Sequence, residues 1–417
     1  PEAALPVPGD PALYAAELWF MTASSYQLAV AIDGPAGKGS VVIPVLALAT
    51  AERPMPFWLG GVLAALGIFL TAGLLTIIGS AVRESALPSG EEPDTARRHR
   101  ARIAVTVAGV VAALALWGGH RWWAAEAANY RGLVLYRPFD ARASVARSGD
   151  RRTVTLSIRD ARSTGVPAPE SRYNALIPDH GKLMHLFMIR EPALDALAHL
   201  HPIARTPAAL DFDAEVPALP AGRYRVYADI VHESGYAQTL VSSVDLDGGT
   251  ASAVPTDDDD AWFRGAGVRE GPMVSYGLGD GSHVVWDRGQ TLATAGVERD
   301  LRCSVRDDGG RALSVEPYMG MAAHLVIASF DGSVFAHLHP SGSISMAAMQ
   351  RFAGAAAADP HAGHLMAMDG QMTIPYAFPK PGAYRVFVQF RRAGRILTAA
   401  FDVDVAAAGV ATAGSGG

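Results

Sequence analysis

Phe57 to Val82, an almost unbroken run of Leu, Ala, Gly, Ile and Val with no charge, constrains this chain more than any other feature. Its roughly 26 residues are enough for one helix across a hydrocarbon core about 30 Å thick. A second apolar run, Ile103 to Trp117, is shorter. It spans only if Gly118 and Gly119 are included or the bilayer thins around it. Phe57 and Trp58, and Trp117, Trp122 and Trp123, stand where an interfacial aromatic belt belongs. The competing reading is a pair of buried core helices. Arg83, Arg97, Arg98, Arg100 and Arg102 flank the short connection between the runs. The positive-inside rule puts that loop in the cytoplasm and both chain ends on the opposite side. In a bacterium this means the cytoplasmic (inner) membrane, with the terminal domains facing the periplasm or exterior.

Composition agrees with a lipid-embedded chain carrying water-exposed domains. Half the residues are apolar, 18% are charged, and the mean hydropathy is +0.16. The formal charge of −6 offers no basic face for a phosphate backbone, which argues against a nucleic-acid partner. One cysteine, Cys303, permits no internal disulfide. It sits alone in Leu-Arg-Cys-Ser-Val and reads as a strand residue.

The chain starts at Pro1 with no leader-like segment, so upstream sequence is expected to be missing. Tyr26–Ile32 and Val41–Leu46 are β-rich runs joined by a turn from Asp33 to Ser40. Two strands alone are marginal in water, so residues 1–54 are expected to be the end of a larger extracytoplasmic β domain or to pack on another chain.

Beyond the second span the pattern changes to short strands separated by turn signals, and an internal repeat emerges. Met184-His-Leu-Phe-Met-Ile189 followed by Ala198-His-Leu-His-Pro202 matches Ala323-His-Leu-Val-Ile327 followed by Ala336-His-Leu-His-Pro340. Downstream, Leu219–Tyr227 matches Phe378–Phe387, and Thr239–Leu246 matches Thr398–Val405. The expected fold is mainly β: Ig-like or cupredoxin-like sandwich modules in tandem, plus two transmembrane helices. The expected boundaries are helices at 55–82 and 102–123, a cytoplasmic loop at 83–101, modules at 131–250 and 271–407, and a solvated acidic linker at 251–270.

The histidines carry the chemistry. Centring a two-residue hairpin on Asp331-Gly332 puts His324 opposite His339 and Val326 opposite His337. Side chains alternate along a strand, so His324, His337 and His339 share one face. Met319 and Met321 approach the same end of the hairpin. In the first copy His185, His199 and His201 are held together by a slightly longer turn, with Met184 beside them and His180 four residues before it. The competing reading makes His-x-His-Pro a structural strand end whose rings bond backbone carbonyls. Several imidazoles on one buried face repel protonation, and a metal relieves that. Imidazole with thioether favours copper, and zinc is the alternative ion.

The stretch His361 to Met372 reads as an insertion whose methionines pack on the second sandwich, or else as an auxiliary copper-capturing loop. Asp179 beside His180, and His232-Glu233, read as surface loops. No cysteine stands near the histidines for a blue-copper centre, and no haem, P-loop or Gly-x-Ser-x-Gly motif occurs.

The Met-Gly-Met-x-x-His-Leu segment, the Asp-Gly-Ser-Val-Phe-Ala-His-Leu-His-Pro hairpin and Pro-Asp-His-Gly-Lys-Leu-Met-His-Leu-Phe resemble modules of bacterial membrane-anchored proteins. Those modules are similar to periplasmic copper- and heavy-metal-handling β-sandwiches. The resemblance covers roughly 130 to 405 and implies metal handling without a reaction. The expectation is a non-enzymatic, membrane-anchored copper-binding protein for sequestration, delivery or resistance, with the lipid bilayer and a metal donor or acceptor protein as partners. The alternative is an accessory subunit of a larger membrane complex with structural histidines. A copper-dependent oxidase is a weaker third reading.

Overall fold

The structure is a computed structural model describing residues 2–7, 10–22, 24–35, 37–49, 51–88, 90–133, 139–159, 176–206, 210–232, 235–248, 257–269, 273–289, 292–340, 342–352 and 369–408. It is mainly β, with several sheets and two long apolar helices. Two compact units are present, one of Leu48–Arg137 and one of the remaining chain.

In the smaller unit the helices run Phe57–Glu84 and Thr95–Leu133. Both are long and apolar enough to cross a membrane, and 0% and 6% of their most apolar windows are buried. They are therefore not the core helices of a globular domain; Ile68 and Phe69, for example, are each 72% exposed. The second helix outruns its apolar stretch. Gly118 and Gly119 stay helical, since two glycines cost only about 1 kcal/mol each and the flanking alanines favour helix. Asp94 starts this helix, its Oδ1 accepting from the Arg97 N–H at 2.7 Å. The helices pack closely at Gly79, where a Cβ would stand 2.9 Å from Val105 Cγ2.

In the larger unit, Leu5–Val7 with Asp10–Ala15 and Ser24–Gly34 with Gly37–Ala47 form two antiparallel pairs. The second pairing continues to Gly34↔Gly37, well inside the segment expected as a turn.

Two modules of one plan follow. In the first, a sheet ordered Ile203–Ala204, Asp211–Glu215, Arg151–Arg159, Asp140–Ser148 shares an apolar core with a sheet ordered Ala237–Leu246, Gly222–His232, His185–Arg190, Ala196–Leu200, Ala261–Arg264. In the second, Gln371–Ala377, Glu298–Arg306, His283–Asp287, Met273–Gly277 share a core with Arg395–Ala406, Gly382–Arg392, His324–Ser329, Phe335–Leu338. Each carries a tyrosine whose hydroxyl donates four residues back, Tyr224 to Pro220 O at 2.8 Å and Tyr384 to Lys380 O at 2.7 Å. Such a tyrosine corner pins a strand start in Greek-key sheets.

The strands His185–Arg190 and His324–Ser329 are buried on both faces. Along His185–Arg190, Leu186 and Met188 enter the first module's core, whereas Phe187 and Ile189 join Val326, Ala328, Phe387 and Ala400 of the second module in a third apolar cluster. That cluster is where the modules dock. Reciprocal arginines flank it: Arg225 donates to Gly332 O at 2.8 Å, and Arg385, at the matching register position, donates to Leu194 O at 2.9 Å. Each thus reaches the hairpin turn of the other module.

The acidic run is no solvated linker. Ala261–Arg264 pairs with Ala196–Leu200, Lys182 lies 2.5 Å from Asp257 and 3.0 Å from Asp259, and Asp260 is buried. A lysine and a buried histidine demand these carboxylates, which outweighs their preference for water.

Candidate metal centre

The second hairpin keeps the expected register, Val326↔His337 and Leu325↔Leu338. Its loop has four residues rather than two, because Ser329 pairs with Val334 and Gly332 N donates to Ser329 O at 3.0 Å. Two- and four-residue loops share a centre, so the register is unaffected. The first hairpin pairs Phe187↔His199 and Leu186↔Leu200. In both copies the histidines lie on the face turned away from the module's own core, which is the docking face.

The triads are built alike. His185 Nδ1 lies 3.2 Å from His199 Nε2, and His324 Nδ1 lies 3.2 Å from His337 Nε2. His185 Nε2 donates to Asp179 O at 3.2 Å, and His324 Nε2 donates to Tyr318 O at 3.1 Å. A carbonyl oxygen only accepts, so these nitrogens carry the protons and both Nδ1 atoms present lone pairs inward.

The second ring of each triad is oriented by the other module. His199 Nδ1 donates to Gln389 Oε1 at 2.9 Å, the amide being held by its own donation to Thr398 Oγ1 at 3.2 Å. His337 Nδ1 lies 3.2 Å from Asp229 Oδ2. Gln389 sits opposite His324, and Asp229 sits opposite His185. The two partners are therefore the same position of the repeat. For the third ring of the first copy, Asp260 Oδ1 accepts from His201 Nδ1 at 3.0 Å and from the His201 backbone N–H at 2.8 Å. His201 Nε2 is left buried with no hydrogen-bond partner.

In each triad two rings thus have their protons bound outward and lone pairs facing inward across 3.2 Å, while both ring nitrogens of His339 are buried without a hydrogen-bond partner. A proton in the gap would make one ring a cation. Burial pushes His185, His199, His324 and His337 well below the ordinary histidine range, and the neighbouring rings push further. His339 is held at about 3, chiefly by burial and then by His180. A metal ion fills such a gap: two nitrogens each about 2.0–2.1 Å from a tetrahedral ion stand about 3.3 Å apart. The three donor nitrogens of each triad lie within 4.8 Å of one another. A carboxylate or amide behind a ligating imidazole is the usual outer support of such a site.

Burial pushes the Asp229 carboxyl up to about 7; a hydrogen bond from Thr239 opposes this and the charge of Asp179 adds to it. Asp229 can therefore hold a proton where Gln389, its counterpart, cannot.

Met184 packs in the first module's core, on the strand face opposite His185, so strand alternation removes it from the triad. Met319 occupies a left-handed turn position with φ 52°, the one His180 fills in the first copy with φ 51°. Met321 is buried, its backbone paired with Tyr318. Met372 lies in the second module's core, while residues 361–368 of the Met/His stretch fall outside the described residues. Cys303 is a buried strand residue whose thiol burial pushes up to about 12.

Several site residues were not anticipated. Asp179 and His180 are not a surface loop: Asp179 is buried and accepts from the Ala347 N–H at 2.8 Å. The His180 ring centroid stands 4.8 Å from His339 and 5.3 Å from His324. His232 is likewise buried, but it neighbours Phe139, Tyr236 and Gln238. Asp229 and Gln389 left one signal, a polar residue at matching places in two apolar strands.

One family model matches both modules, over residues 141–247 and 277–407, more than half of the chain. The chain belongs to the family described as a domain of unknown function (DUF8832). Each DUF8832 match contains one complete histidine triad. No curated protein matches the chain. Among solved structures, it is similar at 12% identity to three N-terminal domains of the bacteriophage RB49 highly immunogenic outer capsid protein, covering 64% of this chain and 59% of that one, with a TM-score of 0.14. The zebrafish RET cadherin-like domains 1 to 4 match at 10% identity, 66% and 53% coverage and a TM-score of 0.14. The chain thus spans a little over half the length of either structure, and likeness at that score carries no argument.

Proposed function

We propose that this chain is a membrane-anchored metal-binding protein whose paired modules are Ig-like or cupredoxin-like sandwiches on the extracytoplasmic side of a bacterial inner membrane. The observation that carries this reading is the outward hydrogen bonding of the imidazoles, which leaves lone pairs converging in each triad. Its ion is copper, held for sequestration, delivery or resistance. An all-imidazole set accepts copper or zinc, and among divalent ions nitrogen sites bind copper most tightly. The arginines flanking the connection between the helices support the orientation.

Elemental analysis of the detergent-solubilised chain after exposure to copper and to zinc tests this. Copper should be retained at stoichiometric level, and His337→Ala with His339→Ala should abolish it in the second triad. A chain that retains neither ion, with a double variant that folds and behaves as the parent, would sink the reading.

A further inference from the structure

The two triads are not separated by any wall of protein. Within a triad, ring centroids stand 5.4 Å apart for His185–His199, 5.1 Å for His185–His201 and 4.7 Å for His199–His201. Between triads they are nearly as close: 5.3 Å for His185–His337, 5.6 Å for His199–His337 and 6.3 Å for His199–His324. His180 lies beside both, 6.2 Å from His185 and 4.8 Å from His339. Each triad also takes one outer partner from the opposite module, Gln389 for His199 and Asp229 for His337. A cleft of about 240 Å³ reaches the cluster, lined by His185 from one triad and by His337 and His339 from the other.

We propose that the six histidines form one dinuclear copper centre closed across the module boundary, rather than two independent sites. This rests on the metal-binding reading above. Two ions seated in neighbouring triads have no insulating layer between them, so each sits in the field of the other. The cleft meets rings of both triads and is the entry path for ions. Three imidazoles leave each ion one coordination position for a small ligand arriving by that path. Filling one triad orders rings that touch the other, so the sites also share their binding energy.

The test uses the full chain in detergent, stripped with chelator, titrated with copper(II), desalted, and read by elemental analysis and electron paramagnetic resonance. The expected result is two coppers per chain with an integrated signal well below two spins and a half-field transition from coupled ions. His199→Ala with His201→Ala should leave one copper with the spectrum of an isolated ion and at least tenfold weaker binding. Two coppers giving two full, isolated spins would overturn the dinuclear centre while leaving metal binding intact, as would a stoichiometry of one. Failure to retain any copper would instead remove the metal reading itself. The parent chain decides between these outcomes even if the double variant fails to fold.

Discussion

Lowering the pH of the metal-free chain from about 7.5 to about 5.5 should strip the paired modules of much of their stability. Five clustered rings, His185, His199, His324, His337 and His339, are kept neutral chiefly by burial. An unfolded histidine titrates near 6.5, so below that pH the unfolded chain takes up protons that the folded chain refuses. Over this interval each such ring costs about 1.4 kcal/mol, or about 7 kcal/mol for the five. Asp229, raised to about 7 by burial, acts in the opposite direction because the folded form protonates first. It returns about 2 kcal/mol, leaving a net loss of about 5 kcal/mol against a typical domain stability of about 5–15 kcal/mol. Urea denaturation followed by far-ultraviolet circular dichroism at several pH values measures this. A transition midpoint that is flat or rises on acidification would refute the buried-neutral cluster. Copper at one hundred times its dissociation constant should add about 2.7 kcal/mol at neutral pH, and that gain should fade in acid as protons compete for the same nitrogens.

Asp260→Asn removes the charge behind His201 and should weaken copper binding by about 10–100-fold, measured by competition with a chelator of known affinity. Arg385→Met leaves the Asp402 carboxylate, now 2.6 Å from Arg385 Nε, buried without its cation, and should cost about 3–5 kcal/mol in denaturant unfolding. Tyr384→Phe deletes one hydroxyl bond to Lys380 O and should cost only about 1 kcal/mol in the same assay. Gly332→Ala places a Cβ 2.6 Å from Arg225 Nη1 at a φ of 70°, and should lower the melting temperature by loosening the docked modules.

The hairpin register was legible because one apolar alternation and one Asp-Gly turn admit a single pairing that keeps His324, His337 and His339 together. What the docking face meets was less so. Leu186–Ile189 and Leu325–Ala328, which follow the first histidine of each triad, contain no polar residue, the pattern of strands covered on both sides. A single module covers only one side, so those runs already implied a second layer, without saying that the layer was the other copy. Met184 was misplaced because adjacency in sequence means opposite faces in a strand. The acidic run was misread because a cluster of aspartates looks solvated until Lys182, His201 and Arg391 are brought to it by distant segments. The second helix was underestimated because hydropathy marks only its most apolar stretch, whereas helix propensity continues through the alanines beyond it.

The exchange of outer partners between modules has a consequence for how this chain can vary. Arg225 and Arg385 each reach the opposite turn, as the two halves of an isologous dimer would. In a dimer of separate identical chains, every substitution would strike both sides of the centre at once. Joining the halves in one polypeptide lifts that constraint. His180 faces Met319 across the pseudo-dyad, and ionisable Asp229 faces neutral Gln389. The chain can therefore hold two nearly matched pockets at different proton affinities, an imbalance no symmetric pair of identical subunits could keep.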